Sequence, residues 1–336
     1  MRCLGLFLLL QAAVLLPGRA WDPDGHLLVA TIAYDHLNPK ALLAAEALAP
    51  QVVGPDQAYT PITIACWMDD LRQHDPALPY HGYFFPWHYV DFGLSPSDPQ
   101  PMLEPGQDNE TSGNAVTALK RAMVVLQGGT DPYLKTQAMA YAIVMHLVGD
   151  IHQPLHAATW FHQQADGRWV NDAGGNHVVV INGPVFEKTY NLHYFWDAAW
   201  RASFDPTSGR VTVDPSHENW NHHDAAVVRA LAEELEVSLK PADTVSLAPN
   251  FVGWAQESNQ IARDVVYPRL TFTENHRVAR ISAEYVALVN PLARQRIVLA
   301  GYRLAALLNA TLGAATPAPV PPSYPAGPPA IFLPEK

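Results

Sequence analysis

Apolar positions recur at helical spacing over most of the 336-residue chain. From Gly25 to about Leu48 they predict two short helices, separated by the break Asn38-Pro39. Tyr59 to Arg72 predicts another helix, and Ser112 to Gln127 an amphipathic one. Lys135 to about His152 is apolar on every face, which predicts burial in the core. Helical patterns return at His193–Ala202, His222–Leu239 and Ala255–Tyr267, and a long one runs from about Asn290 to Leu312. Two stretches depart from this pattern. Residues 73–111, rich in Pro, Gly, Asp and aromatics, predict a long surface excursion of the kind that is usually functional when ordered. Arg168 to Tyr190 is dominated by Val, Ile, Phe and Thr and punctuated by Gly174-Gly175-Asn176 and Asn182-Gly183, which predicts a small β-ribbon. The expected fold is one all-α domain carrying that ribbon.

The two ends stand apart. Residues 1–20 combine Arg2, the apolar run Leu4–Leu16 and the small-residue ending Gly18-Arg19-Ala20, the pattern of a secretory signal peptide. The run is too short to span a bilayer, so the expected destination is secreted or periplasmic. Cleavage after Ala20 would make Trp21 the first residue. Residues 313–336, dominated by Pro and Ala, predict an extended disordered tail, leaving 21–312 as the functional domain. Apolar residues are 49% and charged residues 16%, a balance that excludes a disordered chain. Loss of Arg2 and Arg19 takes the net charge from −11 to −13, which argues against a wide basic nucleic-acid-binding face. Divalent metal bound in one cleft would reverse that sign locally. Cys3 leaves with the signal, so Cys66 is alone and no intrachain disulfide forms. Within the apolar run Ile62–Trp67 it reads as a small core residue. N-x-S/T sequons occur at Asn109 and Asn309.

The chemistry is carried by His and Asp in helical pairs. His146 and Asp150 are four apart on the predicted buried helix and share a face, and His193 and Asp197 repeat the spacing. His156 follows Pro154 just beyond the first pair, and His26, Asp69 and His88 lie upstream. One His-x3-Asp pair is an ordinary polar contact more often than a metal site. Two such pairs with flanking His, in a chain poor in charge, point to metal, because polar groups on an apolar helix are costly to bury without a partner. His81, His162, His177, His217, His222 and His223 lie in polar stretches and read as surface residues.

These residues resemble the zinc-dependent single-strand-specific nucleases of fungi and plants, the type I nucleases, which share a fold with bacterial zinc phospholipases C. The resemblance runs from Trp21 to about Leu312. Trp21 stands where the family's N-terminal Trp would be, followed by His26. Trp67-Met68-Asp69 matches the Trp-Ala-Asp motif, with Arg72 three residues on, and His88-Tyr89-Val90-Asp91 matches the His-aromatic-Ile-Asp element. His146, Asp150 and His156 fill His-x3-Asp-x5-His, Gly174-Gly175-Asn176 fills Gly-Gly-Asn, and Asn191 to Asp197 fills Asn-Leu-His-x2-Trp-Asp.

The resemblance implies three Zn2+. Asp69, His88, His146 and Asp150 would hold the first, and His156, His193 and Asp197 the second. The amine and carbonyl of Trp21, His26 and the shared Asp150 would hold the third. It further implies hydrolysis of single-stranded DNA or RNA to 5′-phosphate products by a monomer, with 3′-nucleotidase activity as a companion. Asp69 and Arg72 would be catalytic, the Arg72 guanidinium facing phosphoryl oxygens, although an ion pair with Asp69 or Asp70 is its alternative. Tyr89, Asp91 and Asn176 would contact substrate, Tyr89 by base stacking, with a core aromatic as its alternative. The chain departs from the pattern in lacking disulfides and in its long segment His156 to Ala173, which presents Trp160, Phe161 and Trp169. That insert keeps open a phospholipase C acting on phosphatidylcholine, against which Asp197 stands where those enzymes use Glu. A zinc-binding protein without turnover would instead require closed coordination.

Overall fold

The computed structural model describes residues 21–52, 59–73, 84–95, 98–103, 113–163, 166–181, 190–212, 225–272 and 277–313. The signal segment, nearly all of the Pro/Ala-rich tail, Asn109, and His81, His217, His222 and His223 lie outside the described residues. Helices α1 (Pro23–Asp35) and α2 (Pro39–Leu48) form the first pair, each opened by an Asx N-cap and a proline in its first turn. α3 (Trp67–Gln73), α4 (Ala115–Leu126), α5 (Gln137–Asp150), α6 (Leu192–Asp197), α7 (Ala225–Leu239), α8 (Phe251–Ile261) and α9 (Ala283–Thr311) follow. α5 is the central element: every residue from Ala140 to Asp150 is buried, as an all-round apolar helix requires. α4 packs along one side of α5, while the 29-residue α9 lies against α1 and α5. Among the described residues no helix is long and apolar enough to cross a membrane.

The strands are more numerous than the pattern predicts. β1 (Phe92–Ser95) and β2 (Asp98–Leu103) arise within the predicted excursion. They join β3 (Thr159–Gln163) and β4 (Trp169–Asn171) in a sheet of order β2-β1-β3-β4, with β1 parallel to β3. A second sheet has the order β6-β5-β10-β9, built from β5 (Val179–Ile181), β6 (Tyr190–Asn191), β9 (Thr271–Phe272) and β10 (Val278–Arg280). A small hairpin, β7 (Ser203–Asp205) with β8 (Arg210–Thr212), completes the set. The expected single ribbon over 168–190 is therefore divided: β4 pairs upstream with β3, and β5 runs parallel to β10, about a hundred residues later. Three-residue strands carry too little periodicity to reveal such partners.

Three further differences have local causes. The segment Tyr59–Arg72 is a 3-10 turn (Thr63–Cys66) leading into α3 rather than one helix; Pro61 supplies no N–H for an earlier start. The long C-terminal helix, expected from about Asn290, begins at Ala283, capped by the Ser282 side chain, and runs through Pro291. His162, read as a surface residue, is buried on β3. Cys66 is buried as expected, its thiol pushed well up by desolvation and then by nearby carboxylates. The Asn309 sequon lies within α9, where its amide accepts from the Asn38 N–H and donates to the His36 carbonyl, tying α9 to the α1–α2 turn.

Candidate metal centre

α5 sets the geometry of the site. His146 and Asp150 project from one face, with Nε2 of His146 3.2 Å from Oδ2 of Asp150. The other Asp150 oxygen, Oδ1, lies 3.4 Å from Nε2 of His26 on α1. One carboxylate therefore stands between two imidazoles from different helices. The His26 and His146 rings stack at 4.1 Å, and His88 meets His146 edge-on at 5.0 Å. Gly149 permits this approach: a Cβ there would sit 3.2 Å from Nδ1 of His26 and 3.6 Å from the Trp21 ring. Trp21 is fully buried, its indole N–H donating to the Gly149 carbonyl at 2.9 Å. The Asp22 N–H donates to the Asp197 carbonyl, which holds the Trp21–Asp22 peptide against α6.

A second group comes from the turn after α5 and from α6. His156 and His193 face each other with their Nε2 atoms 2.9 Å apart, and Oδ1 of Asp197 is 3.7 Å from Nε2 of His193. Asn191 caps α6, accepting from the Tyr194 N–H, a contact worth about 1 kcal/mol to such a short helix. Trp196 on α6 anchors it to Tyr285 of α9. The loop carrying His88 is stitched to His156 in both directions: the Val90 N–H donates to the His156 carbonyl, and Nδ1 of His156 donates to the His88 carbonyl.

Four imidazoles share one arrangement. Nδ1 contacts a backbone carbonyl at 2.8 Å or less in each: His88 to Phe84, His146 to Ala65, His156 to His88 and His193 to Gly174. A carbonyl only accepts, so Nδ1 carries the proton and Nε2 presents its lone pair to the centre. This is how metal-ligating histidines are oriented. Two lone-pair nitrogens 2.9 Å apart repel unless a cation lies between them. Both oxygens of Asp150, Oδ2 of Asp197, Nε2 of His146 and both ring nitrogens of His26 lack a hydrogen-bond partner although buried. Burying such groups unsatisfied costs several kcal/mol. Divalent cations satisfy both observations, and three sets of side chains have ligand atoms mutually within 4.8 Å: His26, Asp69 and His146; His88, His146 and Asp150; and His156, His193 and Asp197. The residues present fit zinc, which takes imidazole nitrogen and carboxylate oxygen.

The electrostatics agree. Burial holds His26 well below the usual imidazole range, helped by its His146, His156 and His88 neighbours, so it is a neutral donor. His146 moves the other way, to about 9: burial opposes protonation, but Asp150 and then Asp69 outweigh it. Burial drives Asp197 up against the opposing hydrogen bond from Gln153. A bound dication would favour the ionised carboxylates and release the His146 proton.

Asp69 on α3 lies 3.8 Å from Nε2 of His88. Arg72 occupies the same helix, and its side chain lies outside the described set. Tyr89 is half-buried, edge-on to the exposed Phe85 at 6.3 Å, while Asp91 is buried. Asn176 braces the turn that carries Gly174, donating to the Ala173 carbonyl and accepting from Asn191. In the insert, Trp160 turns inward and packs on Tyr267 at 4.6 Å, and Trp169 is 52% exposed. His152 is no ligand: Nδ1 meets the Val148 carbonyl and Nε2 accepts from Arg303. Gln153 escapes sequence reasoning, yet its amide donates to Asp197 at 2.7 Å. Its one signal is a polar side chain between two candidate ligand positions, followed by Pro154 and Leu155.

The S1/P1 nuclease family model matches residues 21–313. The chain is 23% identical to nuclease S1 of Aspergillus oryzae over 305 residues, covering 86% of this chain and 91% of that protein. It is 25% identical to endonuclease 2 of Arabidopsis thaliana over 308 residues, covering 87% and 91%. It is 23% identical to nuclease P1 of Penicillium citrinum over 304 residues, covering 86% and 97%. These relatives are nucleases, and the phospholipase expectation finds no support among them. With a match over nearly all of the described domain and a site rich in convergent imidazole and carboxylate, the chain belongs to the S1/P1 nuclease family.

Proposed function

We propose that this protein is a secreted, monomeric, trinuclear zinc nuclease that hydrolyses single-stranded DNA or RNA to 5′-phosphate products, with 3′-nucleotidase activity at the same centre. The observation that carries the reading is the set of four imidazoles whose Nδ1 atoms are tied to backbone carbonyls, so that their Nε2 lone pairs converge with Asp69, Asp150 and Asp197. His88, His146, Asp69 and Asp150 would hold one ion, and His156, His193 and Asp197 a second. His26, Asp150 and the amine and carbonyl of Trp21 would hold the third. Zinc in such a centre supplies Lewis acidity toward phosphoryl oxygen and lowers the pKa of water to near neutrality.

The protein side chains do the rest. Asp150, with one oxygen toward His26 and one toward His146, fixes the spacing between two sites. Arg72 offers a planar guanidinium fork suited to phosphoryl oxygens. Tyr89, beside the ligand His88 and next to the exposed Phe85, provides a stacking surface for a base, worth about 1–3 kcal/mol whichever base it is. Asn176 serves the turn that aims His193. Cleavage after Ala20 would create the Trp21 amine, so export and completion of the third site would be one event.

The test is a hydrolysis assay of the protein starting at Trp21 and loaded with zinc, on single-stranded DNA and RNA, with phosphatidylcholine as a control lipid. Polymer loss with 5′-phosphate ends is expected. His146→Ala should depress it by more than the roughly 10–100-fold that loss of an outer partner costs. Intact nucleic acid in the presence of bound zinc would overturn the proposal.

A further inference from the structure

Gln153 lies between two candidate ligands, in Asp150-Ile151-His152-Gln153-Pro154-Leu155-His156, and is fully buried. Its backbone N–H donates to the Asp150 carbonyl at 2.9 Å, and its carbonyl accepts from the His156 N–H at 3.1 Å. Its side-chain oxygen accepts from the Leu155 N–H, capping the 3-10 turn Pro154–Ala157 that carries His156. Its side-chain nitrogen donates to Oδ1 of Asp197 at 2.7 Å, 44 residues further along the chain. The amide orientation is determined by its partner in the turn: the Leu155 N–H only donates, so the side-chain oxygen faces it and the side-chain nitrogen faces Asp197. Oδ2 of Asp197, the oxygen this bond leaves aside, is buried without a hydrogen-bond partner.

The geometry points to Gln153 as the positioning residue of the His156, His193 and Asp197 site: it locks the turn bearing His156 and fixes the rotation of the Asp197 carboxylate by holding Oδ1, which leaves Oδ2 without a hydrogen-bond partner. This rests on the zinc reading above. No other side chain of this length supplies both contacts. Glu places a second carboxylate against Asp197 and has no proton to donate at neutral pH. Met fills the same space but makes neither hydrogen bond. An outer partner of this kind sets metal affinity by fixing a ligand's orientation, typically by 10–100-fold.

The experiment uses the full mature chain from Trp21 as wild type, Gln153→Glu, Gln153→Met and the double variant Gln153→Glu/Asp197→Asn. Zinc is titrated away with a competing chelator, and the melting of each metal-free protein is recorded alongside. In both single variants one zinc should leave at about 10–100-fold lower chelator strength, with the others held as in wild type. The double variant reverses the hydrogen bond: the introduced amide donates to the introduced carboxylate, while the amide oxygen faces the metal. It should regain part of the loss. Unchanged zinc retention in both single variants would overturn the inference, as would parallel loss of every zinc or failure of both single variants to fold. A wild-type protein that binds no zinc would overturn the metal reading itself, a result distinct from wild-type binding that the variants leave undisturbed.

Discussion

The imidazoles of the centre take their orientation from main-chain carbonyls, which makes the backbone around them as important as the ligands. The Gly174 carbonyl accepts from Nδ1 of His193, and Gly174 has φ of +61°, in the left-handed region. A Cβ at that position would stand 2.7 Å from the Leu155 carbonyl oxygen, a backbone atom that cannot move aside cheaply. Gly174→Ala should therefore destabilise the fold by at least about 1–2 kcal/mol from the left-handed conformation alone, with the clash adding to it. It should also weaken zinc binding through His193. Urea unfolding and zinc content, measured on the same preparation, check both effects. The candidate ligands were legible in the sequence because two His-x3-Asp pairs and several flanking His occur together in a chain poor in charge. Gln153 was not, because its role depends on Asp197, and two residues 44 apart declare no contact until the chain folds.

At the level of elements, α8 and α9 hold the turn between Asp150 and His156 from behind. Arg296 donates to the His152 carbonyl, Ser258 to the Ile151 carbonyl and Asn259 to the Ala157 carbonyl. Arg303 donates to the His152 ring, and Arg296 and Arg303 both pair with Glu257. The hydrogen bond from Arg303 and the charges of Arg296 and Arg303 outweigh partial burial and hold the Glu257 carboxyl below its usual range. A lowered folded pKa means that this stabilisation is complete above the unfolded value, about 4.3, and is lost as pH falls through the folded one. Glu257→Gln should lower the melting temperature at pH 7, and the gap to wild type should close as the pH drops below about 4. Melting curves across that range would show it, and a gap independent of pH would contradict it. The helices of this clamp were readable from apolar spacing. Its assembly was not, because Glu257, Arg296 and Arg303 look in sequence like ordinary charges on helix faces. The strands were hardest to read: β1 and β3 are parallel and distant in sequence, so no hairpin signal joins them.

For the whole molecule, the N-terminal segment is a structural part of the candidate centre and, under the proposed function, a chemical part as well. Trp21 is sealed into the core against Gly149, and Asp22 caps α1 while receiving Trp200 and Arg201 from the segment after α6. Under the proposed function the amine of Trp21 is itself a ligand, which a peptide-bonded nitrogen cannot be. A chain retaining even one residue before Trp21 should thus bind one zinc fewer and turn over more slowly, while melting close to the mature form in the absence of metal. Zinc stoichiometry beside an N-terminal mass measurement decides it, and full zinc occupancy in the extended chain would count against a role for the amine.

By itself the sequence determined the helical class, the buried central helix and the residue types of the candidate metal centre. These rest on local information: periodicity, caps, punctuation and side-chain chemistry at short spacing. Only the tertiary structure decided which ring nitrogen faces inward, how Asp150 stands between His26 and His146, and that the turn after α5 is held by Gln153 and the α8–α9 cluster. Those features are contacts between segments tens to more than a hundred residues apart. They exist once packing has fixed the backbone carbonyls and carboxylates in space, and nothing in the local pattern encodes them.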